Sequence, residues 1–138
     1  MNELSNVKIG FAMTGSFCTF EKAFLQAEKL KESGAELIPI MSYNASTISS
    51  RFGEAEENIR RLENICGRKI INTIDGAEPI GPKKMTDIMV VCPCTGNTCA
   101  KLALSITDTP VTMAVKSHIR NSKPVIIALA SNDSLAGS

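Results

Sequence analysis

The stretch Asp87–Ala103, DIMVVCPCTGNTCAKLA, decides the fold of this chain. Its apolar run Ile88–Cys92 is bounded by polar residues and is too short to span a membrane. A strand buried on both faces of a parallel sheet reads this way. Pro93 has no N–H to donate and a fixed φ, so the ladder is expected to stop there. Thr95, Gly96, Asn97 and Thr98 follow, small and rich in donors, and then a helical run, Cys99–Leu104. Open α/β sheets hold their ligands where a strand ends in a polar turn that feeds a helix. This turn is therefore expected to be one wall of a binding site.

Upstream, Val7–Met13 (VKIGFAM) is apolar almost throughout and reads as a central strand. It runs into Thr14-Gly15-Ser16, and a helix is expected from about Thr19 to Ser33. Phe20, Ala23, Phe24, Ala27 and Leu30 recur at helical spacing, and Gly34 stands where a C′ residue belongs. Glu36–Met41 (ELIPIM) is the second strand, with Pro39 marking a local break in pairing. Strand, small turn, helix and strand make one βαβ unit. The T-G-S turn sets backbone N–H groups and two hydroxyls at a helix N-terminus, where the macrodipole favours an anion such as phosphate. A P-loop is excluded because no Gly-Lys-Ser/Thr follows. A dinucleotide fingerprint is excluded because Gly10 and Gly15 do not make G-x-G-x-x-G. A plain strand–helix turn capped by Ser16 or Thr19 remains the alternative.

Ser42–Ser50 (SYNASTISS) is either a simple hydroxyl-rich loop or a second wall that places Ser42 on the ligand, since strand two ends beside strand one. Gly53–Ile65 reads as an amphipathic helix with Ile59, Leu62 and Ile65 inward, a solvated charged face and Gly67 as its cap. Lys69–Ile74 is expected to be a short strand, and Asp75–Lys84 an irregular lid or interface loop. Thr109–Arg120 is a helix with Pro110 in its first turn, and Val125–Leu129 another buried strand. Ser131-Asn132-Asp133-Ser134 opens a fresh turn just before the sequence stops, so 1–138 is expected to be one domain cut short at its C-terminal end. The alternation predicts a doubly wound, mainly parallel sheet in a three-layer α/β/α sandwich.

The totals narrow the function classes. A net charge of +1 and no basic stripe give no case for nucleic acid or an anionic membrane. Aromatic residues are 4% of the chain, too few for a base-stacking platform. Met1–Lys8 is polar and does not resemble a signal peptide, and the 5 cysteines suit free thiols in a reducing cytoplasm. Cys92, Cys94 and Cys99 lack the C-x-x-C spacing of zinc or redox sites. They read as small hydrophobes, with a reactive Cys94 or Cys99 as the alternative. His118, the only histidine, sits mid-helix near an apolar face and reads as structural. Lys101 and Lys116 lie near the expected ligand edge and could meet a dicarboxylate, though solvated lysines are the plainer reading. A site this poor in acids and bases suits chemistry that belongs to a cofactor.

GFAMTGS, PCTGNTCAKLA and PVIIALASNDSL resemble the flavoprotein superfamily of FMN-dependent cysteine decarboxylases. Within it, TGSFCTF, SRFGEAEENI, PCTGNT and AVKSHIRNSKPVIIALASNDSL closely resemble the B-subunit family of dipicolinate synthases. The resemblance implies that Thr14, Gly15 and Ser16 cradle the FMN phosphate and that Ser42 adds a contact. It implies that Thr95, Gly96, Asn97 and Thr98 continue the flavin site, with Asn132 toward the substrate. It further implies an A subunit with a dinucleotide-binding domain that could bring NAD(P), a dicarboxylate substrate oxidised to dipicolinate during sporulation, and self-association. The decarboxylases' catalytic histidine is replaced here by about Pro79, and their P-A-M-N motif by Ala130-Ser131-Asn132-Asp133. Decarboxylation is disfavoured accordingly, and a non-catalytic scaffold for the A subunit is the remaining alternative.

Overall fold

A computed structural model of the chain describes residues 3–130. The elements in order are β1 (Lys8–Met13), α1 (Phe20–Glu32), β2 (Glu36–Met41), α2 (Tyr43–Thr47), α3 (Ala55–Cys66), α4 (Ile74–Ala77), β3 (Ile88–Thr95), α5 (Gly96–Ala103), α6 (Pro110–Ile119) and β4 (Val125–Ala130). Short 3-10 turns at Phe17–Thr19 and Glu78–Ile80 complete them. The strands form one all-parallel sheet in the order β2-β1-β3-β4. Sequence order reverses between β1 and β3, which makes their carboxyl ends the switch point of the sheet.

The period of two along each strand sorts its side chains between two cores. Ile9, Phe11 and Met13 of β1, with Leu37 and Met41 of β2, pack under Phe20, Ala23, Phe24 and Ala27 of α1 and Leu62 and Cys66 of α3. Ala12, Ile40, Met89 and Val91 point the other way, against Ala77 of α4, Ile80 and Val111, Ala114 and Val115 of α6. This is the expected three-layer sandwich. α1 ends as its sequence requires: Ala35 N–H bonds Leu30 O at 3.2 Å and Gly34 N–H bonds Lys31 O at 3.0 Å, with Gly34 at φ +98°.

Several expectations are corrected. Pro39 does not break pairing: it sits in register with Phe11, and its missing N–H faces away from β1, on the edge where Ile71 N–H bonds Pro39 O and Met41 N–H bonds Ile71 O. Those bonds are all that exists of the predicted strand Lys69–Ile74, a single parallel bridge between Ile40 and Ile71. Asp75–Lys84 is not a lid. Ile80 is fully buried, Ser117 Oγ accepts from Gly81 N–H at 2.7 Å and donates to Glu78 O at 2.6 Å, and Asn121 Nδ2 donates to Gly81 O. Pro93 does not stop β3 either. The register slips between Val91 and Cys94, the Cys92–Pro93 peptide is cis, and pairing with β4 resumes at Cys94. A bulge is the one place inside a sheet that tolerates a residue without an N–H. Ser42–Ser50 is largely the short helix α2 rather than a loop.

β4 forms where expected, but it is not buried. Ile126 is 54% and Leu129 67% exposed, because β4 is an edge strand among the described residues and the helices on both faces centre on β2, β1 and β3. The Ser131–Ser134 turn and Asn132 lie outside the described residues.

Candidate functional site

At the switch point, Thr14 fastens β1 to β3. It is 1% exposed; its hydroxyl donates to Pro93 O at 2.7 Å and accepts from Thr95 N–H at 2.9 Å. Its own N–H bonds Pro93 O at 3.1 Å, and Ser42 N–H bonds Met13 O at 3.0 Å across to β2. The bulge at Pro93 is what turns that carbonyl toward Thr14 instead of along the β3–β4 ladder.

Three helices begin here, and each is capped by a hydroxyl residue. Ser42 Oγ accepts from Ala45 N–H at 3.1 Å, Thr95 Oγ1 from Thr98 N–H at 3.2 Å and Thr109 Oγ1 from Thr112 N–H at 3.1 Å. Thr112 returns the bond to Thr109 N–H at 3.0 Å, closing a capping box. These N-termini open on one cavity of about 370 Å³, lined by Thr14, Gly15, Ser42, Tyr43, Asn44, Thr95, Asn97, Thr98, Lys101, Asp108 and Thr109. That volume falls within the range of small-molecule sites. The floor is close-fitting: a Cβ added at Gly15 would lie 3.2 Å from Asn44 Cβ. Lys101 Nζ donates to Asp108 Oδ1 at 2.9 Å on the wall. Partial positive charge from the helix ends, hydroxyls, amides and one cation make the lining suited to an anionic, polar-edged ligand.

Of the residues singled out in the sequence, the fold gathers Thr14, Gly15, Ser42, Thr95, Asn97 and Thr98 on this cavity. Ser16 and Gly96 flank it without lining it, and Asn132 lies outside the described residues. Three hydroxyls in the set are already committed, Thr14 to the strands and Ser42 and Thr95 to the helices they cap. Sequence reasoning missed Tyr43, Asn44, Asp108 and Thr109. Thr109 alone carried a local signal, since Thr109-Pro110 is a strong helix start.

Lys101, expected near the ligand edge, also lines the cavity, and the remaining candidates fall away from it. His118 is fully buried, its Nδ1 2.6 Å from Thr86 Oγ1 and its Nε2 2.8 Å from Pro124 O. Lys116 is exposed on α6 and does not line the cavity. All five cysteines are unpaired. Burial pushes the Cys92 thiol up, and it pushes that of Cys94 up to about 11, with Cys99 a smaller cause. Neither is a thiolate at neutral pH. Among the described residues, no three His, Cys, Asp or Glu side chains group as metal ligands, and no helix is long and apolar enough to cross a membrane.

Residues 1–136 match the family model described as Flavoprotein. The chain belongs to the flavoprotein family. Within that flavoprotein family, it is 44% identical over 135 residues to the B subunit of dipicolinate synthase from Bacillus subtilis, spanning 98% of this chain and 68% of that one. The crystal structure of the dipicolinate synthase B subunit from Bacillus halodurans superposes with a TM-score of 0.83 at 39% identity, covering 98% of this chain and 69% of that one. The FMN complex of DmrB from Burkholderia xenovorans shares the fold, with a TM-score of 0.72 at 24% identity over 91% of this chain and 66% of that one.

Proposed function

We propose that this chain binds FMN in the cavity at the β1/β3 switch point and acts as the flavin-carrying B subunit of a dipicolinate synthase. One observation carries the reading: three capped helix N-termini converge on a single cavity at the carboxyl edge of a flavoprotein sheet. In this reading the turn Thr14-Gly15-Ser16 meets the phosphate at Gly15, because the Thr14 and Ser16 N–H groups are bonded to Pro93 O and Thr14 O. Thr14 contributes by locking the two strands, since its hydroxyl is already spent. Thr95, Gly96, Asn97 and Thr98 border the flavin, Ser42 holds the second wall in place through its cap, and Asn132 lies toward the substrate.

Aromatising a dihydrodipicolinate-level ring to pyridine-2,6-dicarboxylate removes a hydride and a proton. FMN bound in the cavity would supply the hydride acceptor, and the proton leaves to water. Among the lining residues only Tyr43, Lys101 and Asp108 carry acidic or basic side chains, and two of those hold each other. The protein's part is thus binding and orientation. An A subunit would complete the enzyme and connect it to NAD(P), and the B chains self-associate in a cytoplasm that keeps their cysteines reduced. The same shortage of acids and bases favours a second reading, a non-catalytic scaffold that holds the A subunit. A decarboxylase is disfavoured, because Pro79 stands where the histidine should be and His118 is buried without lining the cavity.

The test is an FMN fluorescence titration of the protein alone and with its A subunit. Saturable quenching by the chain alone supports the flavin site; quenching only with the A subunit moves the site to their interface. Asn97→Ala and Gly15→Val, the latter driving a side chain toward Asn44, are expected to abolish both quenching and dipicolinate formation while the A–B complex persists. Activity that survives both changes removes the flavin reading and leaves the scaffold.

A further inference from the structure

Among the described residues, Lys101 is the only cation on the cavity wall, and Asp108 the only carboxylate. Their ion pair has no evident structural duty. The connection between α5 and α6 is held by backbone: Ser105 N–H bonds Leu102 O at 3.3 Å, Ile106 N–H bonds Lys101 O at 2.9 Å, and the Thr109–Thr112 capping box fixes the start of α6. Ser105 takes the left-handed conformation, at φ +59°, that lets this helix end turn back on Lys101. An ion pair whose partners are 24% and 60% exposed adds little to folding. What it does do is keep the lysine's charge at the wall, balanced, in a cavity where the starts of α5 and α6 already favour an anion.

We propose that Lys101 is the oxyanion-binding residue of this cavity and that Asp108 is a resident counter-ion, displaced from Lys101 when an anionic ligand arrives. The identity of that ligand rests on the flavin reading above. The shared chemistry is an oxyanion, either the phosphate monoester of FMN or a carboxylate of the dicarboxylate substrate. Asp108 then lowers the affinity of the empty site by competing for the lysine and repelling the incoming charge. Because it directly precedes the N-cap of α6, its carboxylate retains a favourable place at that helix end once released.

A counter-ion and a structural ion pair respond differently to substitution. If the pair is structural, Lys101→Met and Asp108→Asn shift binding in the same direction. If Asp108 is a displaceable counter-ion, the two have opposite signs. The experiment titrates wild type and both variants of the full protein with FMN, riboflavin and dipicolinate, at low and high salt, and records a thermal melt for each. Lys101→Met is expected to weaken the relevant ligand about tenfold, as loss of a charge-assisted hydrogen bond does. Asp108→Asn is expected to tighten it about threefold, with both effects shrinking at high salt and the melts unchanged. Effects on FMN but not riboflavin assign the phosphate; effects on dipicolinate with both flavins unmoved assign the carboxylate. Shifts of the same sign, or none on any ligand, overturn the proposal while flavin binding by wild type still stands. Should wild type bind neither flavin, the flavin reading fails, and titration with inorganic phosphate and dipicolinate judges Lys101 by the same opposite-sign criterion. Absence of binding there overturns it too.

Discussion

Thr14 spends its hydroxyl on the fold rather than on a ligand. Thr14→Val keeps the shape but leaves Pro93 O and Thr95 N–H without that hydroxyl, at a cost of about 1–3 kcal/mol. Urea unfolding should show that loss, together with weaker flavin quenching, and Thr14→Ser should restore most of both. A second residue-scale effect concerns Cys66, whose thiol burial pushes from an ordinary 9.0 up to about 12. In that window the unfolded chain has released the proton and the folded chain still holds it, so stability falls as pH rises. The loss is about 1.4 kcal/mol per pH unit, and the full contribution is present below 9.0. Cys66→Ala is expected to lose less stability between about pH 9 and pH 10.5 than wild type, with Cys94 contributing a remaining slope. Equal slopes in denaturant melts would show that the thiol is not the source.

Among the elements, the segment from α4 through Glu78–Ile80 departs furthest from its sequence. Gly and Pro suggested a lid, yet Ser117 and Asn121 of α6 and its end hold the backbone around Gly81 by hydrogen bonds. A Cβ at Gly81 would fall 2.2 Å from Ser117 O, a clash with backbone rather than with a flexible side chain. Gly81→Ala should therefore destabilise the protein by roughly 2–4 kcal/mol through displacement of α6; an unchanged melting temperature would mean the segment is free to move. At the other end of α6, Thr109→Ala removes half of the capping box and is expected to cost about 1 kcal/mol. It should also weaken ligand binding, because that helix end faces the cavity.

Across the whole molecule, the cavity exists because a parallel sheet with a switch point leaves its strand ends splayed, so that three helices start around one space. Among the described residues, the opposite consequence of the topology is β4, whose apolar side chains end at an edge. An exposed apolar edge strand is a template for unintended pairing. Ile126→Lys is expected to lower concentration-dependent light scattering of the purified chain without lowering its melting temperature. Scattering unchanged by the substitution would place the contact elsewhere.

Local pattern was enough for what repeats along the chain. The apolar runs of Val7–Met13 and Glu36–Met41, the helical spacing from Phe20 to Leu30 and the start at Thr109-Pro110 all named their elements, because each is written in neighbouring residues. It was also enough to suspect the turns after β1 and β3, since strand-to-helix turns of small polar residues carry their chemistry locally. The tertiary structure alone decided the rest. Whether Val125–Ala130 is buried depends on what covers it, not on its own apolar residues. Pro93 can lie inside a strand because a bulge and the hydroxyl of a residue 79 positions away accommodate it. Asn44, Lys101, Asp108 and Thr109 join Gly15 in one cavity because the order β2-β1-β3-β4 brings distant helix starts together. A contact between residues far apart in sequence leaves no periodic trace in either segment, and only the folded chain reveals it.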